Sequence, residues 1–135
     1  MANILVVDDD PLTIEVMEKG LGVLGHKVLT AQDGKEGFRK AFWRKVDIIL
    51  LDVVMTGMSG IDLLKKIKSS FRTSHIPVIM LTGYDEDSFR KQAVSNYCEY
   101  YIVKGTGFRE ISDKIARVFQ LAPKPVSGWP ISFRW

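Results

Sequence analysis

Cysteine, histidine and long apolar runs are all scarce in this chain of 135 residues. The single cysteine, Cys98, excludes an intrachain disulfide. Together with the two histidines of the chain it gives no ligand spacing typical of a zinc site. No run approaches the roughly 18 apolar residues of a transmembrane helix, and carboxylates follow the N-terminus too soon for a signal peptide. We therefore expect a cytoplasmic protein without a membrane partner.

The chain also lacks a strong excess of one charge, because its 19 basic residues are nearly balanced by 16 acidic residues. The bases are scattered along predicted helices, which is typical of solvated faces, so we expect no direct nucleic-acid binding. The glycines at 20, 22 and 25 match the spacing of a dinucleotide-binding loop, but they close a predicted helix instead of opening one. A Walker A motif is absent as well. Nucleotide cofactors are therefore not expected.

Four short apolar runs are present, and each ends in a residue suited to a functional site. Such runs are typical of strands buried on both faces. If they are parallel neighbours, their carboxyl ends meet at one edge of the sheet, where ligands bind in open α/β folds. The runs are 3–7, 47–51, 77–81 and 100–103, and they lead into Asp8 and Asp9, Asp52, Thr82 and Lys104, respectively.

Helical patterns lie between these runs and predict an alternating βαβαβαβαβα chain, hence a doubly wound parallel sheet in one domain, residues 1–121. A short second strand is predicted at 27–30. The first helix is predicted at 11–24, with an apolar side formed by Leu12, Val16, Leu21, Val23 and Leu24. Later helices are indicated from Gly34 to Trp43, by Ile61, Leu64 and Ile67, and by Phe108, Ile111, Ile115, Val118 and Phe119.

The residues at the shared edge suit phosphoryl chemistry. Asp10, beside Pro11, is expected to cap the first helix, which leaves Asp8 and Asp9 without a capping role. Adjacent carboxylates repel each other, and oxygen ligands without His or Cys favour Mg²⁺. Asp52 can act as a nucleophile that forms an acyl phosphate. Lys104 and Thr82 can then bind the phosphoryl oxygens.

These motifs, in this order, resemble the receiver domain of two-component response regulators, including the chemotaxis regulators. The matching segments are 4–11, 31–37, 51–60, 77–82 and 101–104. The resemblance implies a flavodoxin-like sheet of five strands in order 2-1-3-4-5. It implies that a sensor histidine kinase or a phosphotransfer protein phosphorylates Asp52, and that output passes to an unknown downstream protein, with a homodimer as a possibility.

The resemblance also implies roles for individual residues. Asp9 and Asp52 would bind Mg²⁺ together with the Val54 backbone carbonyl, and Asp8 would act through a water. Thr82 and Tyr101 would form the switch pair that moves on phosphorylation. The side chains of Val54 and Tyr84 would flank the path of the hydrolytic water and so tune the lifetime of the acyl phosphate.

The sequence departs from the family pattern at several points. Gly105 replaces the usual proline after the lysine, so we expect a trans peptide bond and a reshaped loop there. Thr56 stands where proline is usual, and Ser59 where aspartate is usual. Residues 96–99 replace the usual Gly-Ala turn before the last strand.

Two other functions are compatible with parts of the pattern. An aspartate-nucleophile phosphatase of the haloacid dehalogenase type would use Asp8-Asp9-Asp10 as its first motif and Thr82 and Lys104 as its second and third, but it leaves Asp52 unexplained and needs a further acidic pair beyond the lysine. A phosphorylation-independent adaptor would use the fold only as a scaffold. Residues 122–135, which contain three prolines and two tryptophans, are expected to be either a linker or a docking tail.

Overall fold

The computed structural model describes residues 1–83, 86–105 and 107–121. Five strands and five helices alternate along the chain. The strands are β1 (Asn3–Val7), β2 (Lys27–Ala31), β3 (Ile48–Leu51), β4 (Val78–Thr82) and β5 (Tyr100–Val103). The helices are α1 (Pro11–Val23), α2 (Gly34–Trp43), α3 (Gly60–Ser69), α4 (Asp87–Ser95) and α5 (Phe108–Leu121).

The strands form one parallel sheet in the order β2-β1-β3-β4-β5, which confirms the predicted fold. β1 and β3 lie inside the sheet in direct register, with Ile4 opposite Ile48 and Val7 opposite Leu51. The adjacent carboxyl ends of these two strands place Asp8 and Asp52 side by side. Residues 122–135 lie outside the described residues, so the domain boundary at 121 and both roles suggested for the tail stay predictions.

Two apolar clusters, one on each side of the sheet, hold the helices in place. The strand residues alternate between the clusters, as the two-residue period of a strand requires. One cluster joins the sheet to α2, α3 and α4 through Ala41, Leu64 and Ala93. The other joins it to α1 and α5 through Met17 and Ile115. Burial on both faces explains why the inner strands are almost wholly apolar.

The predicted apolar side of α1 is wrong. Four of its five residues are exposed, by 66% for Leu12, 52% for Val16, 87% for Val23 and 48% for Leu24, and only Leu21 is buried. The buried side consists of Ile14, Met17 and Leu21, which follow a spacing of three and four residues. Apolar residues surround most of this helix, so their positions alone did not determine which side faces the core.

The contact between α1 and α5 provides the physical reason for this orientation. The ring of Phe108 packs over Gly20, where an added Cβ would lie 2.6 Å from the ring atom Cε2. The glycine therefore lets α5 approach this side of α1 closely. In the dinucleotide-like glycine spacing at 20, 22 and 25, Gly20 therefore serves helix packing. Gly20 and Gly22 lie within α1 and do not follow a strand.

Candidate functional site

The carboxyl edge of the sheet brings four of the predicted site residues together. Asp8 follows β1, Asp52 follows β3, Thr82 ends β4 and Lys104 follows β5. Asp8 and Asp52 are only 3% and 8% exposed, and Thr82 is fully buried. Four strands that are fixed by apolar packing therefore hold a polar group each at a single, largely enclosed point.

Three carboxylates and one ammonium group meet there. Asp8, Asp9 and Asp52 each offer one oxygen, and these three oxygens lie within 4.8 Å of one another. Lys104 Nζ lies 2.7 Å from Asp8 Oδ2 and 3.6 Å from Asp52 Oδ2. When all four groups are ionised, three negative charges face one positive charge, which leaves two in excess. A divalent cation would balance that excess.

One carboxylate oxygen of Asp52 is buried without a hydrogen bond. Its Oδ1 atom is buried and has no hydrogen-bond partner among the described residues. A buried, unpaired carboxylate oxygen is costly unless a ligand or an ion completes its environment. The orphaned oxygen, the charge excess and the all-oxygen donor set fit Mg²⁺.

The environment of Asp52 disfavours its charged form. Burial raises the pKa of this carboxyl, and the nearby Asp8 raises it further. Lys104, a hydrogen bond from Thr82 and the Val54 backbone N–H oppose that rise without cancelling it. The free carboxylate is therefore destabilised, and a cation or an esterifying phosphoryl group would relieve the repulsion.

Lys104 is held in its charged form. Burial alone would lower its pKa, but the hydrogen bond to Asp8 and the attraction of Asp52 outweigh burial and raise the pKa overall. The backbone N–H of Lys104 also donates to the Thr82 carbonyl at 2.6 Å. This bond fixes the start of the lysine side chain beside the end of β4.

Asp9 is positioned by a residue that the sequence did not single out as functional. The backbone N–H and the hydroxyl of Thr56 both donate to Asp9 Oδ2, at 2.8 and 3.0 Å. These bonds, the backbone N–H first, lower the pKa of Asp9 and outweigh the opposing effect of burial. Thr56 was recognised only as a departure from the family's proline. The available signal was that threonine offers two donors where proline offers none.

Gly60 was also missed, and it determines how closely α3 approaches the phosphoacceptor candidate. An added Cβ at this position would lie 1.8 Å from the Asp52 carbonyl oxygen. The Gly60 N–H donates to the Val53 carbonyl at 2.8 Å, so the helix begins directly against this turn. Ser59, the departure from aspartate, caps α3 by accepting from the Asp62 N–H.

The loop after Lys104 is reshaped as predicted. Gly105 has a φ of +99°, and the described residues contain no cis peptide bond. Proline is locked near −65° and cannot adopt this conformation. The glycine is therefore required by the local backbone, and the usual proline loop is absent.

Two of the remaining predicted residues, Val54 and Tyr101, lie within the described part of the chain. Val54 is 40% exposed, and its N–H donates to Asp52. Tyr101 is half-buried on β5 opposite Met80, with the Arg90 guanidinium 4.5 Å above its ring. One strand, β4, therefore separates Tyr101 from β3 and Asp52. Tyr84 lies outside the described residues.

The five-stranded parallel sheet and the acid cluster at its carboxyl edge are the features of a receiver domain, and comparison with known families gives the same result. The model of the response regulator receiver domain matches residues 4–116. The chain therefore belongs to the response regulator receiver family. This membership sets aside the haloacid dehalogenase alternative, which also left the buried Asp52 unexplained.

Among individual proteins, the chain is 38% identical over 88 residues to Protein PilH of Pseudomonas aeruginosa, a match covering 65% of this chain and 73% of PilH. The match spans 48% of the alkaline phosphatase synthesis transcriptional regulatory protein PhoP of Bacillus subtilis and 23% of the response regulator PleD of Caulobacter vibrioides. A receiver domain protein from Methanospirillum hungatei has a TM-score of 0.84 at 26% identity, covering 89% of this chain and 94% of that one.

One further solved structure bears on the site. The response regulator TrrA from Thermotoga maritima was crystallised in complex with Mg²⁺ and BeF. It has a TM-score of 0.78 and 30% identity, and the match covers 87% of this chain and 99% of that one. In the described part of our chain, no helix is long and apolar enough to cross a membrane.

Proposed function

We propose that Asp52 accepts a phosphoryl group from a sensor histidine kinase or a phosphotransfer protein. An oxygen of the Asp52 carboxylate attacks phosphorus, the bond from phosphorus to the donor's histidine nitrogen breaks, and the product is an acyl phosphate plus free histidine. The observation that carries this proposal is the buried Asp52 carboxylate, with an unpaired oxygen, beside two more carboxylates and a charged lysine. Hydrolysis of the acyl phosphate would return Asp52, so the domain would turn over no other substrate.

The neighbouring residues have distinct roles in this proposal. Asp9, Asp52 and the Val54 carbonyl would hold Mg²⁺, with Asp8 acting through a water. The cation would neutralise charge on the phosphoryl oxygens. Lys104 would exchange part of its contact with Asp8 for a phosphoryl oxygen, and Thr82 would donate a hydrogen bond to another. The positive charge of Lys104 favours this exchange because the phosphoryl group adds negative charge at the site.

The signal would leave the site through Thr82 and Tyr101. Thr82 ends β4, and Tyr101 lies on the adjacent β5. A shift of the Thr82 hydroxyl toward the phosphoryl group would change the space available to the Tyr101 ring. The surface of β5 and α4, where Arg90 covers that ring, would then be presented differently to a downstream protein.

The test is phosphorylation by a small acyl-phosphate donor with Mg²⁺, followed by intact-protein mass spectrometry. We expect a gain of one phosphate in the parent and none in Asp52→Asn. Asp62→Asn, which changes an exposed carboxylate on α3, is the matched control and should still gain phosphate. Phosphate incorporation into Asp52→Asn would overturn the assignment. Failure of beryllofluoride with Mg²⁺ to bind would instead favour the adaptor.

A further inference from the structure

The segment that contains α2 and α3 carries a net positive charge, whereas the rest of the chain carries a small net negative charge. Residues 35–72 contain nine of the 19 bases and four of the 16 acids, so they carry a net charge of +5 while the rest of the chain carries −2. Seven of these bases are exposed and have no ion-pair partner among the described residues. They are Lys35, Arg39, Arg44, Lys45, Lys65, Lys66 and Arg72.

The acids of this segment do little to neutralise that charge. Glu36 is already paired with Lys40 at 2.9 Å. Asp47 accepts the backbone N–H of Asn3 on the adjacent strand. Asp52 lies in the acid cluster at the carboxyl edge. Only Asp62, in the first turn of α3, is an exposed acid on this surface.

Aromatic side chains lie among these bases. Trp43, at the end of α2, is 66% exposed, and Phe71, just after α3, is 98% exposed. The Arg72 guanidinium lies 5.0 Å from the ring centroids of both Phe42 and Trp43 and so links the ends of the two helices. A large apolar side chain left in water loses the stabilisation that burial would provide. We call this surface, residues 35–45 and 65–72, the basic aromatic face.

We propose that the basic aromatic face is a docking surface for an acidic protein segment that also carries apolar side chains. Its charge is complementary to such a segment, which would accelerate and orient association. Tryptophan and arginine are the residues that most often dominate binding energy at protein interfaces. Trp43 and Phe71 would be the apolar anchors, and the surrounding bases would pair with the carboxylates of the partner.

The contacts among the rings favour a protein over single-stranded nucleic acid. Nucleic-acid binding of that kind depends on stacking of bases on open aromatic faces. Lys66 already lies 4.5 Å from the Phe38 ring centroid, and Arg72 lies over Phe42 and Trp43. The edge contact of Phe42 with Trp43, with centroids 4.9 Å apart, takes up further ring surface. Among the aromatic residues of the basic aromatic face, Phe71 alone has a ring that no neighbouring base or ring covers.

The position of this face allows docking and phosphorylation together. Trp43 is the last residue of α2 and Phe71 follows the end of α3, and the C-terminal ends of these helices lie at the amino edge of a parallel sheet. Asp52 lies at the opposite, carboxyl edge. A partner bound through Trp43 and Phe71 would therefore leave the acid cluster open, and its affinity would not depend on the state of Asp52.

The test uses a short fluorescent peptide that alternates Glu with Leu and Phe, and it measures binding by anisotropy. We expect the double variant Arg39→Glu, Lys65→Glu to weaken binding by about tenfold or more, which corresponds to about 1.4 kcal/mol. Trp43→Ser, which keeps the charge, should also weaken it. The matched control is Arg109→Glu, Arg117→Glu, two exposed bases of α5 on the other side of the sheet, and it should bind as the parent does.

Three results would overturn the proposal. One is equal loss of peptide binding in the α5 control, because attraction would then be unspecific. Another is unchanged binding in Trp43→Ser. The third is preference for a single-stranded oligonucleotide or for anionic phosphatidylglycerol vesicles over the peptide. Unchanged circular dichroism melts of the variants would show that they fold. Beryllofluoride with Mg²⁺ should leave the peptide affinity unchanged, whatever becomes of the role proposed for Asp52.

Discussion

Thr56 donates two hydrogen bonds to one oxygen of Asp9 across 47 residues of sequence. Asp9 is the most exposed member of the acid cluster, and repulsion from Asp8 and Asp52 would otherwise turn it outward. The two bonds hold Asp9 within reach of the other carboxylates. A proline at position 56, the residue usual in this family, has neither an N–H nor a hydroxyl to replace them.

Replacing Thr56 should therefore weaken Mg²⁺ binding. We expect Thr56→Val, which keeps the N–H, to lose affinity moderately, and Thr56→Pro to lose more, within the roughly 10–100-fold that outer ligand partners contribute. Thr56→Ser keeps both donors and should bind as the parent does. Isothermal titration with Mg²⁺ measures all three. Parent-like affinity in Thr56→Pro would show that Asp9 needs no such support.

The two N-terminal carboxylates should differ in their contribution to metal binding. Asp9→Ala is expected to weaken Mg²⁺ binding more than Asp8→Ala, because Asp9 is assigned a direct ligand role and Asp8 a role through water. In addition, Asp8 is already paired with Lys104 at 2.7 Å. Metal titration followed by Trp and Tyr fluorescence compares the two variants. The reverse order would exchange their roles.

The turn between α4 and β5 should become more stable when Tyr97 is replaced by glycine. Tyr97 has a φ of +69° and follows the end of α4, where the Cys98 N–H donates to the Ala93 carbonyl. A left-handed conformation costs a residue with a Cβ about 1–2 kcal/mol, and glycine escapes that cost. We expect a higher melting temperature for Tyr97→Gly and not for Tyr97→Ala. Equal melting of parent and glycine variant would contradict the prediction.

The sequence was sufficient for the sheet and for most of the acid cluster. Apolar runs that end in polar residues predicted β1, β3, β4 and β5 correctly, because strands buried on both faces must be apolar. The parallel order then brought Asp8, Asp52, Thr82 and Lys104 to one edge. Asp10 and Asp33 are the N-caps of α1 and α2, and their side chains accept hydrogen bonds from the backbone N–H groups of Leu12 and Glu36.

The features that the sequence did not reveal depend on contacts between segments that are distant along the chain. Leu12 and Ile14 are both apolar, and which of them is buried depends on packing against the sheet and α5, including the contact of Phe108 with Gly20. The contact of Gly60 with the Asp52 carbonyl is a distance between backbones, which leaves no periodic signal. The sequence shows that Thr56 replaces the usual proline. Its hydrogen bonds to Asp9 depend on how the loops after β1 and β3 approach each other, which the sequence does not show.

The stability of the metal-free protein should depend on pH through Asp52. Its pKa is raised in the folded state, so the folded protein keeps the proton to higher pH than the unfolded chain does. As pH rises from the unfolded value of 3.8 through the raised folded value, the charged form appears and stability is lost. Above that window the loss is complete.

Asp52→Asn carries no charge at any pH and avoids this loss. We therefore expect it to melt at a higher temperature than the parent at neutral pH, with a difference that shrinks as pH falls toward 3.8. Mg²⁺ should raise the melting temperature of the parent more than that of the variant. Thermal melts over a pH series test this, and a variant less stable than the parent at pH 7 would show that the Lys104 attraction prevails.

Hydrolysis of the acyl phosphate should be slow in this protein. The resemblance to receivers places the side chains of Val54 and Tyr84 beside the path of the attacking water. Val54 lies two residues after Asp52, is 40% exposed, and cannot orient a water by hydrogen bonding. Positioning of a water by a polar group contributes roughly 10²–10⁴-fold to the rate where it occurs, so we expect its absence to lengthen the lifetime of the acyl phosphate.

The measurement is the decay of phosphorylated protein after the small donor has been removed, followed by mass spectrometry. The double variant Val54→Asn, Tyr84→Glu supplies polar groups at both positions and should decay faster than the parent. Val54→Ile, which keeps an apolar side chain, is the control and should decay at the parental rate. Slower decay in the double variant than in the parent would show that these two side chains do not limit the approach of water to Asp52.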